Sequence, residues 1–130
     1  MRVLVVDDEE VIRAVLGTLL TREGYEVTSA ATAGEAISLF EADPHDVVLL
    51  DLMLPDRSGL DVLREIRQRD ADAVVVIVTA YSSIEGAIEA MRQGAFHYIP
   101  KPFQNEEVLL TLRKGSEARR LTEENRRLRE

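Results

Sequence analysis

The sequence contains no cysteine, which excludes a disulfide framework, a thiolate metal site and a thiol nucleophile. It also lacks any apolar run that approaches the roughly 18 residues of a membrane-spanning helix, and its first residues enter an apolar strand rather than a signal peptide. We therefore expect a cytoplasmic protein that has no membrane partner. The chain has 130 residues, a length that suits one domain with a single core.

Basic charge is scarce in most of the chain. Residues 113–130 carry seven basic and four acidic side chains. The preceding 112 residues therefore hold 9 of the 16 basic and 20 of the 24 acidic residues, which gives them a net charge of −11. A region this acidic repels phosphates, so we expect no direct binding to nucleic acid.

Five short apolar runs alternate with five segments that have helical periodicity. Such alternation predicts an α/β fold with a parallel five-stranded sheet and right-handed crossovers. The last helix begins at Gln104 or Asn105 and is expected to run almost to the end of the chain. The runs predicted to be strands are Arg2–Val6, Tyr25–Ala30, Val47–Leu50, Ala73–Val78 and Phe96–Ile99.

Capping signals mark the start of two of the helices. Thr32 and Glu35 have the spacing of a capping box before the second helix, and Ser82 or Ser83 can cap the fourth. In the fourth helix, the apolar spacing predicts that four side chains face the core, namely Ile84, Ala87, Ile88 and Met91.

Polar side chains stand where four of the predicted strands end: Asp7 and Asp8 after the first, Asp51 on the third, Thr79 on the fourth and Lys101 after the fifth. These ends meet at one edge of a parallel sheet, where ligands bind in such folds. Three crowded carboxylates need a cation, and a cluster of oxygen ligands favours Mg²⁺ over zinc. A lysine and a hydroxyl are suitable donors to phosphoryl oxygens. The set predicts phosphoryl transfer onto Asp51, which forms an acyl phosphate.

Each of these residues also has an ordinary structural explanation. Asp7 and Asp8 could cap the first helix, and Asp51 could be a turn-former. Thr79 could cap a strand end, and Lys101 could be solvated, as most single lysines are. Their coincidence at one sheet edge favours the functional explanation.

Four motifs, in this order and spacing, resemble the receiver domain of two-component response regulators over about residues 1–118: Asp7-Asp8, Asp51, Thr79-Ala80 and Lys101-Pro102. The resemblance implies a flavodoxin-like, doubly wound fold with strand order 2-1-3-4-5. It also implies a regulatory domain rather than an enzyme, with a sensor histidine kinase as the phosphate donor.

A longer segment, Gly94 to Phe103, is similar to the receivers of sigma-54-dependent transcription activators of the nitrogen-regulation type. Those activators continue into an ATPase domain and a DNA-binding domain, which this sequence does not contain. We therefore expect an isolated receiver with its linker.

The resemblance implies a role for each site residue. Asp51 is the phosphoacceptor, and Thr79 and Lys101 hold the phosphoryl oxygens. Tyr98 occupies the switch position of the family: on phosphorylation Thr79 would move toward the phosphoryl group and Tyr98 would turn into the space that it leaves, although an ordinary half-buried strand residue is the alternative. The peptide bond before Pro102 is expected to be cis.

The resemblance also implies a Mg²⁺ site. Asp8 and Asp51 bind the ion through their carboxylates, Met53 binds it through its backbone carbonyl, and Asp7 contacts it mainly through water. A small Mg²⁺-dependent phosphatase with an aspartyl nucleophile is the alternative. It is disfavoured because the common phosphatase signature has an aspartate at the position of Met53. A receiver-like module that works without phosphate is a third possibility.

The segment 119–130 is predicted to be a linker helix. A coiled-coil spacing of a and d positions places Ala118, Leu121, Asn125 and Leu128 on one stripe, and an asparagine at an a position favours a parallel two-stranded coil. Two heptads are too few to be stable alone, and Gly115 weakens the helix, so a solvated helix is the alternative. We expect a homodimer through the fourth helix, fifth strand, fifth helix and linker helix.

Overall fold

A computed structural model describes residues 1–80 and 83–129. Within these residues, five strands alternate with five helices, as the sequence pattern predicted. The strands are β1 (Arg2–Val6), β2 (Glu26–Ala30), β3 (Val47–Leu50), β4 (Val74–Thr79) and β5 (His97–Pro100). The helices are α1 (Glu10–Arg22), α2 (Ala33–Ala42), α3 (Gly59–Arg69), α4 (Ile84–Arg92) and α5 (Asn105–Arg129).

The strands form one parallel sheet in the order β2-β1-β3-β4-β5, which confirms the predicted doubly wound fold. Every residue of the central strand β3 is buried. In the register of the sheet, Leu50 lies between Val6 of β1 and Ile77 of β4. Asp7 follows Val6 and Asp51 follows Leu50. The two aspartates therefore lie side by side at the carboxyl end of the sheet.

The two faces of the sheet are covered by different helices. Two helices pack on one face through Leu16 and Leu20 of α1 and Val108 and Leu112 of α5. The other face packs against α2, α3 and α4. Because β1, β3 and β4 are covered on both sides, they read in the sequence as continuous apolar runs.

Local caps begin the second and fourth helices. The Thr32 hydroxyl accepts a hydrogen bond from the Glu35 backbone N–H at 3.1 Å, so the predicted capping interaction is present. At α4, the Ser83 hydroxyl accepts from the Gly86 N–H at 2.8 Å. The alternative cap, Ser82, lies outside the described residues.

The predicted inward face of α4 is wrong for three of its residues. Ile84, Ile88 and Met91 are 80%, 54% and 46% exposed, whereas Ala90 is fully buried. The helix has only 9 residues and carries two neighbouring apolar stripes, so periodicity did not identify which of them faces the core. The small side chain of Ala90 lies against the core, and the bulkier stripe forms an apolar surface.

The longest helix, α5, continues through Gly115 without a break. A Cβ atom at Gly115 would lie 2.9 Å from Cγ1 of Val74, so a glycine lets the helix approach β4 closely. Beyond it, Arg119 forms an ion pair with Asp70 in the α3–β4 loop. In the described part of the chain, no helix is long and apolar enough to cross a membrane.

Candidate functional site

Three carboxylates meet at the carboxyl end of the sheet. Asp7 and Asp51 are 2% and 4% exposed, and Asp8 is exposed. One oxygen from each of the three lies within 4.8 Å of the others. Hard divalent cations prefer such a set of oxygen ligands, so the side chains that are present fit a Mg²⁺ ion.

Lys101 lies among these acids. Its Nζ is 2.7 Å from Asp7 Oδ2, 2.9 Å from Asp51 Oδ2 and 3.4 Å from Glu9 Oε1. The Lys101–Pro102 peptide bond is cis, as predicted. Burial alone would lower the pKa of Lys101, but hydrogen bonds to Asp7 and Asp51 raise that pKa well above its usual value, so the ammonium group is charged.

Hydrogen bonds hold the Asp51 carboxylate from two sides. Its Oδ1 accepts from the Thr79 hydroxyl at 2.7 Å and from the Met53 backbone N–H at 3.0 Å. Its Oδ2 accepts from Lys101 at 2.9 Å. Thr79 is fully buried, so these contacts orient Asp51 at the point where the central strand ends.

Burial raises the pKa of the Asp7 carboxyl, although hydrogen bonds from Lys101 and the Glu9 N–H act in the opposite direction. The largest cause is the removal of the carboxylate from water, and the nearby charge of Asp51 adds to it. Asp7, Glu9 and Asp51 contact the ammonium group of Lys101, and Asp8 lies beside Asp7 and Asp51. Against these four acids stand Lys101 and Arg13, whose guanidinium donates to the Asp7 backbone carbonyl. An added cation would relieve this imbalance.

Met53 and Tyr98 are the two other predicted site residues. The Met53 side chain is 59% exposed, and the Met53 backbone forms an isolated bridge with Ser58 across the loop that follows β3. Tyr98 is half-buried on β5, opposite Ile77 of β4, and packs against the core. The structure thus brings Asp7, Asp8, Asp51, Thr79 and Lys101 together, with the Met53 backbone bonded to Asp51.

Sequence reasoning missed two acids here. Glu9, which directly precedes α1, was not among the predicted site residues, yet its carboxylate contacts Lys101. The Asp56 carboxylate accepts hydrogen bonds from the backbone N–H groups of Gly34 and Ala33, which lower its pKa. These partners lie 22 and 23 residues away in the sequence, so no local signal marked the Asp56 contact.

Comparison with known proteins gives a family match over most of the chain. The family described as response regulator receiver domain matches residues 3–113. The regulatory protein AtoC of Escherichia coli is 38% identical over 98% of this chain, which covers 28% of AtoC. The DNA-binding transcriptional regulator NtrC of Proteus hauseri is 38% identical over 87% of this chain, which covers 24% of NtrC. The chain thus spans about a quarter of the length of these relatives.

Solved structures agree with the family match. NtrX from Brucella abortus in complex with ATP superimposes with a TM-score of 0.91 at 32% identity, covering 98% of this chain and 29% of that one. A CheY-like receiver domain protein from Methanospirillum hungatei superimposes with a TM-score of 0.90 at 31% identity, covering 93% and 97% of the two chains. The resemblance to nitrogen-regulation receivers in the sequence is confirmed by relatives of the NtrC and NtrX type.

Proposed function

The chain belongs to the response regulator receiver domain family, and from that membership we propose that Asp51 accepts a phosphoryl group from a sensor histidine kinase. The observation that carries the proposal is the setting of Asp51, a buried carboxylate held by Thr79 and Lys101 beside two further aspartates. The domain is regulatory: its chemistry is confined to its own phosphorylation and dephosphorylation.

In the proposed reaction, an oxygen of Asp51 attacks phosphorus while the P–N bond of the phosphohistidine breaks, leaving an acyl phosphate. Lys101 and Thr79 already donate hydrogen bonds to Asp51. They are therefore close enough to donate to the oxygens of the transferred group as negative charge collects there. Hydrolysis of the acyl phosphate by water returns the free carboxylate.

Asp7, Asp8 and Asp51 would hold Mg²⁺ together with the backbone carbonyl of Met53, with Asp7 acting mainly through water. Bound Mg²⁺ would supply positive charge that offsets both the carboxylates and the incoming phosphoryl group. The close approach of the three carboxylates supports this proposal, because like charges this near one another repel.

Phosphorylation would act as a switch. Thr79 would move toward the phosphoryl group and Tyr98 would turn inward, which shifts the population between two receiver states. We assign residues 1–118 to the receiver and 119–130 to the linker helix. In the cytoplasm, the switch would change the assembly of a sigma-54-dependent transcription activator, whose ATPase and DNA-binding domains would respond.

An apolar surface supports assembly as a homodimer through the α4–β5–α5 face. Ile84, Ile88 and Leu110 are 80%, 54% and 48% exposed there. On the linker helix, Leu121 and Leu128 are also 48% and 80% exposed. These leucines lie on a different stripe from Arg119 and Arg126, which contact the receiver, so the stripe is available for a second copy.

The test of the phosphoacceptor is labelling by acetyl phosphate in Mg²⁺, followed by intact mass. The wild type and the control Asp61→Asn, an acid on α3, should each gain one phosphoryl group, and Asp51→Asn should gain none. Stoichiometric labelling of Asp51→Asn would contradict the assignment. Turnover of phosphomonoesters would instead favour the aspartyl phosphatase alternative.

The test of the dimer is light scattering over protein concentrations from micromolar to near millimolar, with and without beryllofluoride. We expect the molar mass or the dimer shape to change on beryllofluoride binding. A monomer under every condition would remove the dimer while leaving the receiver intact.

A further inference from the structure

Asp56 lies in the loop after β3 and binds the start of another element, helix α2. Its Oδ1 accepts a hydrogen bond from the Ala33 N–H and its Oδ2 accepts one from the Gly34 N–H, each at 2.9 Å. These are the first two N–H groups of α2, which have no partner within the helix. One exposed carboxylate therefore ties the loop to the helix with both of its oxygens.

The loop that carries Asp56 is closed at its base. The Met53 N–H donates to Asp51 Oδ1 at 3.0 Å, and the Gly59 N–H donates to the Leu52 carbonyl at 2.8 Å. A Cβ atom at Gly59 would lie only 2.3 Å from the Asp51 carbonyl oxygen, so the returning chain passes directly against the end of the strand. Met53 and Asp56 therefore lie within one short closed loop, which the bridge between Met53 and Ser58 narrows further.

Helix α2 has a second cap that does not involve the loop. The Thr32 hydroxyl accepts from the Glu35 N–H, as an ordinary N-cap does. Thr32 and Asp56 thus contribute similar hydrogen bonds to the same helix end. The two caps differ in one respect. The Asp56 contact joins the helix to the loop of the candidate metal site, and the Thr32 contact does not.

We propose that Asp56 is a positioning residue: by binding α2, it fixes the loop of residues 51–59 and holds the Met53 backbone carbonyl in place for Mg²⁺. The inference rests on the proposed function, because the Mg²⁺ site is part of it. Asp56 is not itself a ligand, since both of its oxygens are directed at α2.

The charge of Asp56 favours this role. The N–H groups of Gly34 and Ala33 lower the pKa of the Asp56 carboxyl, so it is ionised at neutral pH. An anion at a helix N-terminus is stabilised by the aligned peptide dipoles. Residues that orient the ligands of a metal typically change its affinity about 10- to 100-fold when they are removed.

The experiment compares Asp56→Ala with the matched control Thr32→Ala. Mg²⁺ is titrated into the metal-free protein while backbone amide NMR signals are recorded, which gives the affinity and shows that each variant is folded. We expect Asp56→Ala to weaken Mg²⁺ binding roughly tenfold and Thr32→Ala to leave it within about twofold. Asp56→Asn should fall between wild type and Asp56→Ala, because an amide has one acceptor oxygen instead of two.

Thermal unfolding without Mg²⁺ separates positioning from capping. Both alanine variants should lose similar stability, since each removes a cap from the same helix end. Equal Mg²⁺ affinity in Asp56→Ala and wild type would overturn the positioning role and leave the proposed function standing. Equal loss of Mg²⁺ affinity in both alanine variants would also overturn it. The loss would then come from the weaker cap of α2 and not from the loop. A wild type that does not bind Mg²⁺ would overturn the proposed function together with this inference.

Discussion

At the carboxyl end of the sheet, the Lys101 ammonium group lies within 3.4 Å of three carboxylates. At the amino end, Arg119 binds Asp70 through two N–H groups, at 3.0 Å and 3.3 Å. The two basic side chains are almost equally buried, 9% and 12% exposed. Burial therefore does not explain why one of these clusters has the features of a reactive site and the other those of a structural clamp.

The number of neighbouring acids does not distinguish the two clusters either. Three carboxylates, those of Asp7, Glu9 and Asp51, contact the ammonium group of Lys101. Arg119 likewise contacts three carboxylates, those of Asp70, Glu123 and Asp46. The two basic side chains differ in kind. Lysine carries a single mobile charge, whereas the planar fork of arginine fixes a carboxylate in one orientation. A mobile charge suits a site that is proposed to bind a phosphoryl group, and a fixed fork suits a contact that joins two elements.

The largest expected effect comes from removing the lysine. Lys101→Met should slow labelling of Asp51 by acetyl phosphate about 100-fold or more, the usual loss when a donor to developing oxyanion charge is removed. Lys114→Met, the same change at an exposed position of α5, is the control and should label at the wild-type rate. The measurement is the time course of intact mass. Equal rates for both variants would show that Lys101 has no part in the transfer.

At the amino end, the expected effect is on stability. Arg119→Ala should lower the free energy of unfolding by about 2 kcal/mol, because it leaves the partly buried Asp70 without its charged partner. Arg120→Ala removes only pairs with the exposed Glu117 and Glu124 and should cost at most about 0.5 kcal/mol. Urea unfolding gives both values. Slower labelling of Asp51 in Arg119→Ala would contradict the separation of the two ends.

The smallest effect is one of pH. Burial opposes ionisation of Asp70, but the hydrogen bond from Arg119 holds its pKa below the usual value. A lowered carboxyl pKa stabilises the fold at neutral pH, and this contribution is lost as the pH falls through the folded pKa. Asp70→Asn should therefore be less stable than wild type at pH 7, and the difference should shrink below about pH 4. Urea unfolding across this range measures it.

Substitution of Asp7 should change the stability at pH 7 in the opposite direction, since burial raises the pKa of its carboxyl. A raised carboxyl pKa destabilises the fold at neutral pH, and that cost disappears as the pH falls through the folded pKa. In Mg²⁺-free buffer, Asp7→Asn should thus be more stable than wild type at pH 7 and lose its advantage in acid. If Asp70→Asn and Asp7→Asn changed the stability at pH 7 in the same direction, the two ends of the sheet would not differ in this respect.

The sheet and the cluster of site residues could be predicted because their signals are local. Each buried strand is a short apolar run, and a polar residue such as Asp51 or Thr79 marks where it ends. Parallel topology then brings those ends together without any knowledge of contacts. The roles of these residues in phosphoryl transfer remain predictions.

Side-chain contacts between residues that are far apart in the sequence could not be predicted in this way. Arg119 and Asp70 are 49 residues apart, and nothing near either of them selects the partner. The same limit applies to Asp56 and α2. For α4, the apolar period was recognised, but the choice between the stripe of Ile84 and that of Ala90 depends on how closely the helix approaches the sheet.

Helix α5 is one continuous rod that packs closely against β4 at Gly115 and is held to the receiver by Arg119. The helix has 25 residues, so at 1.5 Å per residue it is about 37 Å long. A tilt of about 10° around Val108 would displace Leu128 by about 5 Å, close to one helical pitch. Because Gly115 and Arg119 lie between Val108 and Leu128, the same tilt would loosen their contacts with Val74 and Asp70. Movement of the far end of the helix is therefore coupled to the amino end of the sheet.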